Sequence, residues 1–343
     1  MHSPHLRAAL TLVAALGLAL TLAPAPVAAQ NAWVLQWLQD YASGKQAEVV
    51  AGFRTVSSLR QLQDDLDKIA PKYVEGKGAD AELHRRAIVA FAIEAAYARI
   101  DQGQVAGKLA DWACRQVRRH TPPDEFDHRA QMATFAILAG AVDPDALSAH
   151  VTHVRFQFPT EPRLALEKGI AEELRAAPFY EPGKELPADI VKHREDAVSS
   201  YTTAARIDSV RAEALLRLGR VNLDLGKNDE ALTALNGIEP ITKDPDVIYL
   251  ARLFRGQALE RLGKTDEARQ SYARALEVRP DAQTASIALA ALDFRRGDRA
   301  AADRNVGRLL SRTAQPDDPW WEYWPGDFRF GLDRVKAMRE AMK

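Results

Sequence analysis

Leu253-Phe254-Arg255-Gly256 runs on to Leu262-Gly263-Lys264-Thr265-Asp266-Glu267-Ala268, and this stretch decides the fold. It has a counterpart on either side. Ala214-Leu215-Leu216-Arg217-Leu218-Gly219 leads to Leu225-Gly226-Lys227-Asn228-Asp229-Glu230-Ala231. Ala288-Leu289-Ala290 leads to Arg296-Gly297-Asp298-Arg299-Ala300-Ala301-Ala302. Gly226, Gly263 and Gly297 stand 37 and 34 residues apart, as do Ala231, Ala268 and Ala302. Each unit reads as a helix, a glycine turn and a second helix. The turn glycine takes φ > 0 after a helix at little steric cost. Gly219, Gly256 and Ala290 fall mid-helix, where glycine costs about 1 kcal/mol against alanine. A close helix crossing accounts for them, with Ala231, Ala268 and Ala302 as the expected small partners.

The middle unit resembles the tetratricopeptide repeat family, whose period is about 34 residues of helix-turn-helix. Gly256, Leu259, Gly263, Ala268, Tyr272, Ala275 and Pro280 match its pattern. The preceding unit matches at Leu215, Leu218, Gly219, Gly226, Ala231 and Leu235, and departs at Asn222, where an aromatic is usual. The following unit has Ala290 in place of glycine. Ala197, Tyr201 and Ala204 repeat the spacing of Ala268, Tyr272 and Ala275, so the register extends back across a long connection at 178–187. The expected fold is all-α: an α-solenoid of about seven helical pairs that stack because one pair cannot bury its apolar face alone.

The chain has 343 residues, 47% hydrophobic and 27% charged, with a formal net charge of −1. That balance gives no reason to expect nucleic acid or an anionic membrane as partner. Residues 1–29 read as a secretory signal. His2, His5 and Arg7 precede the apolar run Ala8–Leu22, and Val27-Ala28-Ala29 has a cleavage-site pattern, so the mature chain is expected to begin at Gln30. An apolar run of that length is short for a span needing about 20 residues. The reading is an exported chain, periplasmic or secreted, without a transmembrane segment after cleavage. Its single cysteine, Cys114, excludes an internal disulfide and reads as a buried apolar residue.

Four segments are expected: the signal at 1–29, degenerate helical repeats at 30–160, tetratricopeptide repeats at 161–310, and a tail at 311–343. The tail holds Trp320, Trp321, Tyr323 and Trp324 and a closing helix from Leu332. Repeat arrays need a cap over the terminal apolar face, and these aromatics are the expected cap. The alternative is that they dock a protein or glycan.

Catalytic motifs are missing. There is no Gly-x-Ser-x-Gly elbow, no phosphate-cradling loop and no His-Glu-x-x-His, so no enzyme activity, cofactor or metal is expected. His150 and His153 are one helical turn apart but lack a third ligand. The acidic pairs Asp64-Asp65 and Glu172-Glu173 and the basic pairs Arg85-Arg86 and Arg118-Arg119 read as solvated helix faces. In the family this chain resembles, the first helix of each pair lines a groove. Carried over by register, the lining is Glu213, Leu216, Arg220 and Leu223; Leu250, Leu253, Gln257 and Glu260; and Thr284, Ile287, Ala291 and Phe294. Trp321 and Trp324 join them if the tail binds. Arg220 stands where members that clamp a carboxylate terminus carry asparagine, so that ligand is not implied. The expected function is an exported, non-enzymatic scaffold binding a protein or peptide of the cell envelope. The alternative is a peptidoglycan- or glycan-associated envelope factor.

Overall fold

The structure is a computed structural model that describes residues 32–74, 79–117, 122–176, 186–311, 318–323 and 331–342. The signal, the 178–185 part of the long connection, Arg118, Arg119, His120 and Trp324 lie outside the described residues. No strand occurs among the described residues, and the fold is all-α.

The chain divides into two compact units, Met1–Ile88 and Val89–Lys343. In the first, α1 (Ala32–Ala42), α2 (Gln46–Phe53) and α3 (Leu59–Val74) are amphipathic. Val34, Leu38 and Tyr41 are buried, as are Phe53, Leu59, Leu62 and Leu66. Helix α3 runs through Pro71. Asp65 and Arg85, expected in solvent, are buried with partners: Asp65 accepts from Gln61 and Lys68, and Arg85 pairs with Glu82. Helix α4 spans Ala79–Ala98.

In the second unit successive helices pack as pairs. First come α5 (Gln104–Val117), α6 (Glu125–Gly140) and α7 (Pro144–Gln157), and then four pairs: α8 (Leu164–Arg175) with α9 (Ala188–Ala204), α10 (Arg211–Asp224) with α11 (Asn228–Asn236), α12 (Pro245–Arg261) with α13 (Thr265–Val278), and α14 (Gln283–Arg295) with α15 (Arg299–Leu310). Local chemistry sets several starts. Asp124 and Asp127 form a reciprocal capping box, and Asp143, Asp244 and Asp298 accept backbone N–H groups of the first turn. Gly226, Gly263 and Gly297 hold φ of 73°, 73° and 82°, the left-handed turn that the repeat requires. The helices on either side of residue 160 share one core. Phe135, Leu138, Leu147 and Val154 pack in the same cluster as Leu166, Ile170 and Tyr201.

The mid-helix glycines do mark close crossings, but a larger partner than expected fills them. A Cβ on Gly256 would lie 2.4 Å from a ring carbon of Tyr272, and one on Gly219 would lie 2.6 Å from Leu235. Ala231, Ala268 and Ala302 are buried one turn earlier on the second helices. Gly169 repeats the device against Tyr201 at 2.3 Å. The long connection between them hides that match in the sequence.

Two tail helices complete the unit: α16 (Pro319–Tyr323) and α17 (Gly331–Ala341). Their described contacts are these. Helix α16 lies against α12, and α17 against α6. The outer side of the last pair keeps Val306 and Leu310 exposed, at 43% and 80%. Arg334 donates to the Met132 carbonyl at 3.1 Å and Arg339 to Glu94 at 2.9 Å, which ties the chain end to the middle of the sequence.

Candidate functional site: the first-helix face and its occupant

Helices α8, α10, α12 and α14 contribute one face of the array, and the tail segment Asp318–Tyr323 lies on it. Three side chains of that segment enter three separate places.

Tyr323 enters the deepest. It is 3% exposed, and its hydroxyl donates to Glu173 on α8 at 3.3 Å. The same carboxylate accepts from Tyr201 at 2.6 Å and from Arg217 on α10 at 3.0 Å. Arg217 also donates to the Tyr323 carbonyl at 3.5 Å, and its guanidinium lies 4.9 Å from that ring's centre. Glu213 adds a second carboxylate to Arg217 at 3.3 Å. Burial, and then the neighbouring Glu173 charge, push the Tyr201 and Tyr323 hydroxyls well above the usual phenol range, so both remain donors. Burial works against the charge on Arg217, but the surrounding Tyr201, Glu173, Tyr323 and Glu213 outweigh it and hold it protonated. Glu173 is therefore not the solvated helix carboxylate its context suggests. It is 7% exposed and Arg217 is 3% exposed.

Trp320 packs between Phe254 on α12 and Arg220 on α10. Its ring meets Phe254 edge-on at 5.8 Å and stacks with Tyr323 at 5.9 Å. The Arg220 guanidinium sits 5.0 Å from the Trp320 ring and 5.4 Å from Phe254, a two-sided cation–π contact. Arg220 also pairs with Asp224 at 3.2 Å and donates to Gln257 at 3.3 Å.

Asp318 caps a helix. Helix α14 starts after Ala282, which has no side-chain acceptor. Asp318 supplies one, accepting the Thr284 N–H at 2.6 Å and the Tyr249 hydroxyl at 3.0 Å. Tyr249 in turn accepts the Ala285 N–H at 3.4 Å. Burial and then Asp318 raise the Tyr249 pKa, keeping it a donor.

Beside Trp320 a cavity of about 520 Å³ remains. Arg194, Arg220 and Arg261 line it together with Glu173 and Asp224. Arg194 and Arg261 each donate to a carbonyl at the end of α10.

Of the residues expected to line a groove, the structure divides them. Glu213, Arg220, Gln257 and Glu260 are on this face and already engaged; Glu260 accepts from Tyr272 at 3.0 Å and pairs with Arg295. Leu216, Leu223, Leu250 and Leu253 are buried between helices and present no surface. A leucine at a first-helix position packs the neighbouring repeat when that repeat lies over it. Thr284 is reached through its backbone. Ile287 and Phe294 are exposed at 50% and 60%, away from the segment's contacts. The Trp321 side chain is not among those described, and Trp324 lies outside the described residues. Arg217, Tyr249 and Phe254 were missed. The Glu173–Arg217 pair, 44 residues apart, has no local signature.

The remaining chemical candidates are structural. His150 is fully buried, bonded to the Gln131 carbonyl at 3.2 Å and edge-on to Phe135. Cys114 is buried 2.9 Å from the Thr134 hydroxyl. Among the described residues one group, Glu172, His193 and Asp196, has metal-ligand spacing. Arg175 and Lys192 neutralise its two carboxylates.

Residues 191–287 match the family described as tetratricopeptide repeat-like domain. These residues carry tetratricopeptide-like repeats. Solved structures similar to it include that of MamA, 17% identical, covering 64% of this chain and 98% of that one with a TM-score of 0.38. Another is a thermophilic TPR protein of Thermus thermophilus, 19% identical, covering 59% and 91% with a TM-score of 0.39. No curated protein matches the chain. Tetratricopeptide arrays are scaffolds for protein–protein interaction and typically not enzymes. No helix among the described residues is long and apolar enough to cross a membrane.

Proposed function

We propose that this protein is an exported, non-enzymatic scaffold of the cell envelope that binds a partner protein on the first-helix face of its tetratricopeptide array. One observation carries the binding reading. That face already holds a peptide segment from outside the repeats, through a buried Glu173–Arg217 pair, an aromatic slot and a helix N-terminus. Export rests on the signal pattern of residues 1–29 alone.

Site-specific photo-crosslinking tests the binding surface. A crosslinker at Gln257 or Arg261 should trap a discrete partner in cells. One at Phe156, 85% exposed on α7, should not. Equal trapping from all three positions, or from Phe156 alone, overturns the assignment of the face. Amino-terminal sequencing tests export: mature protein should begin at Gln30, and an intact Met1 would refute cleavage.

A further inference from the structure

The tail segment is a record of what the face recognises. We propose that the first-helix face binds, in trans, a segment of a partner protein in which an aspartate is followed by tryptophan two residues on and tyrosine five residues on. Residues 318–323 are the resident ligand of that chemistry, which the partner displaces. This rests on the scaffold reading above and specifies its ligand.

Three features carry the inference. The first is the division of labour. Asp318 goes to the N-terminus of α14 and Tyr249, Trp320 goes between Phe254 and Arg220, and Tyr323 goes to Glu173 and Arg217. Each side chain meets a different chemical requirement, a carboxylate acceptor, an aromatic face, and a hydroxyl donor followed by a carbonyl acceptor, although α10 and α12 each serve two of them and Phe254 meets both rings.

The second is the cost of the receptors. Glu173 and Arg217 are more than nine-tenths buried, and well-packed apolar residues commonly match or exceed the stability of such a pair. A segment serving only to cover apolar surface needs none of this. The pair keeps Tyr201 and Glu213 as partners within the repeats and takes one hydroxyl and one carbonyl from the segment, which fixes the register of whatever lies on it.

The third is the charge logic. An aspartate belongs at a helix N-terminus, where backbone N–H groups and the helix dipole favour an anion. A tyrosine hydroxyl belongs opposite a carboxylate. A peptide with phenylalanine at the tyrosine place gives up one of three donors to Glu173, and one with a basic residue at the aspartate place leaves the α14 N-terminus without its acceptor. Because the resident segment is tethered, it acts at an effective concentration of the millimolar order, so a partner binds the intact chain more weakly than the emptied face.

The experiment uses the full chain and a labelled synthetic peptide, Asp-Pro-Trp-Trp-Glu-Tyr, read by fluorescence anisotropy. A chain carrying Trp320→Ala and Tyr323→Ala should bind the peptide about tenfold or more tighter than the unaltered chain. Peptides with Asn for the aspartate or Phe for the tyrosine should bind about tenfold more weakly. A variant with unchanged helicity that ignores the peptide overturns the proposal, as does equal binding of the three peptides. Should the double variant lose its helicity, hydrogen exchange on the unaltered chain decides. Excess peptide should speed exchange at 318–323, and no change overturns the proposal. A concentration-dependent dimer of the unaltered chain, with the segment exchanged between copies, would replace the partner protein by a second copy and equally overturn it. If the peptide fails while crosslinking from Gln257 and Arg261 still traps a partner, the ligand chemistry falls and the scaffold reading stands.

Discussion

The carboxylate of Asp318 caps the helix that begins at Gln283, accepting the Thr284 N–H at 2.6 Å across 34 residues of chain. The local cap position holds Ala282, which leaves the first-turn donors of α14 without a side-chain acceptor of their own. A tail residue therefore completes a repeat helix, and the Tyr249 hydroxyl joins it from the preceding pair.

Asp318→Ala should cost about 0.5–2 kcal/mol, the range for losing an N-cap acceptor. The loss should appear locally, as faster hydrogen exchange at Thr284 and Ala285. Denaturant titration and exchange mass spectrometry measure both. Unchanged exchange at these two amides would show that the cap contributes nothing.

Arg217→Ala should be the more damaging change. It leaves Glu173 buried with hydroxyl partners only, and breaking a buried pair from one side costs about 3–5 kcal/mol. Tyr323→Phe should cost less, at most about 1.5–3 kcal/mol, because Arg217 and Tyr201 remain on the carboxylate. Urea unfolding of the two variants tests the order, and a reversed order would contradict the network.

Two glycines should respond with opposite signs. Gly256→Ala pushes a methyl to 2.4 Å from the Tyr272 ring and should destabilise by about 1–3 kcal/mol. Gly307→Ala meets nothing within 4 Å inside α15 and should stabilise by about 0.5–1 kcal/mol. Thermal melts of both variants are the measurement. A Gly256→Ala chain that melts with the unaltered protein would mean the crossing is loose.

Acid should weaken one tie in particular, between the α11–α12 connection and α12. The Arg252 guanidinium bonded to Glu239 lowers its carboxyl pKa, against a smaller opposing effect of burial. A carboxylate depressed in the folded state contributes stability above its unfolded pKa of about 4.3 and loses it as pH falls through the lower folded value. Glu239→Gln should therefore lower stability at pH 7 and flatten its decline below about pH 4. Urea midpoints from pH 7 to 3 would show this, and parallel curves for the two chains would exclude a role for this pair.

The helices and their order were legible because their causes are local. The spacing of Gly226, Gly263 and Gly297 reports a turn that needs φ > 0, and the aspartate caps act within three residues. The mid-helix position of Gly256 announced a close crossing, and only the packing showed that a tyrosine ring fills it. The site was less legible. Arg220, Gln257 and Glu260 fell on the expected face, while Leu216, Leu223 and Leu253 fell inside, because a helix register fixes direction and not what lies over it. Asp65, Arg85 and Glu173 read as solvent-facing charges for the same reason.

What sequence alone determined here is everything with a period or a short range: the helical pairs, their turns and their stacking order. The tail's path was a tertiary decision. Tyr323 meets Glu173 across 150 residues, and Arg339 meets Glu94 across 245. No period or local propensity encodes a contact of that separation. The segment lies on the first-helix face because a carboxylate, an indole and a phenol hydroxyl find there a helix N-terminus, an aromatic slot and a buried ion pair, each assembled from helices that come together only in the folded array.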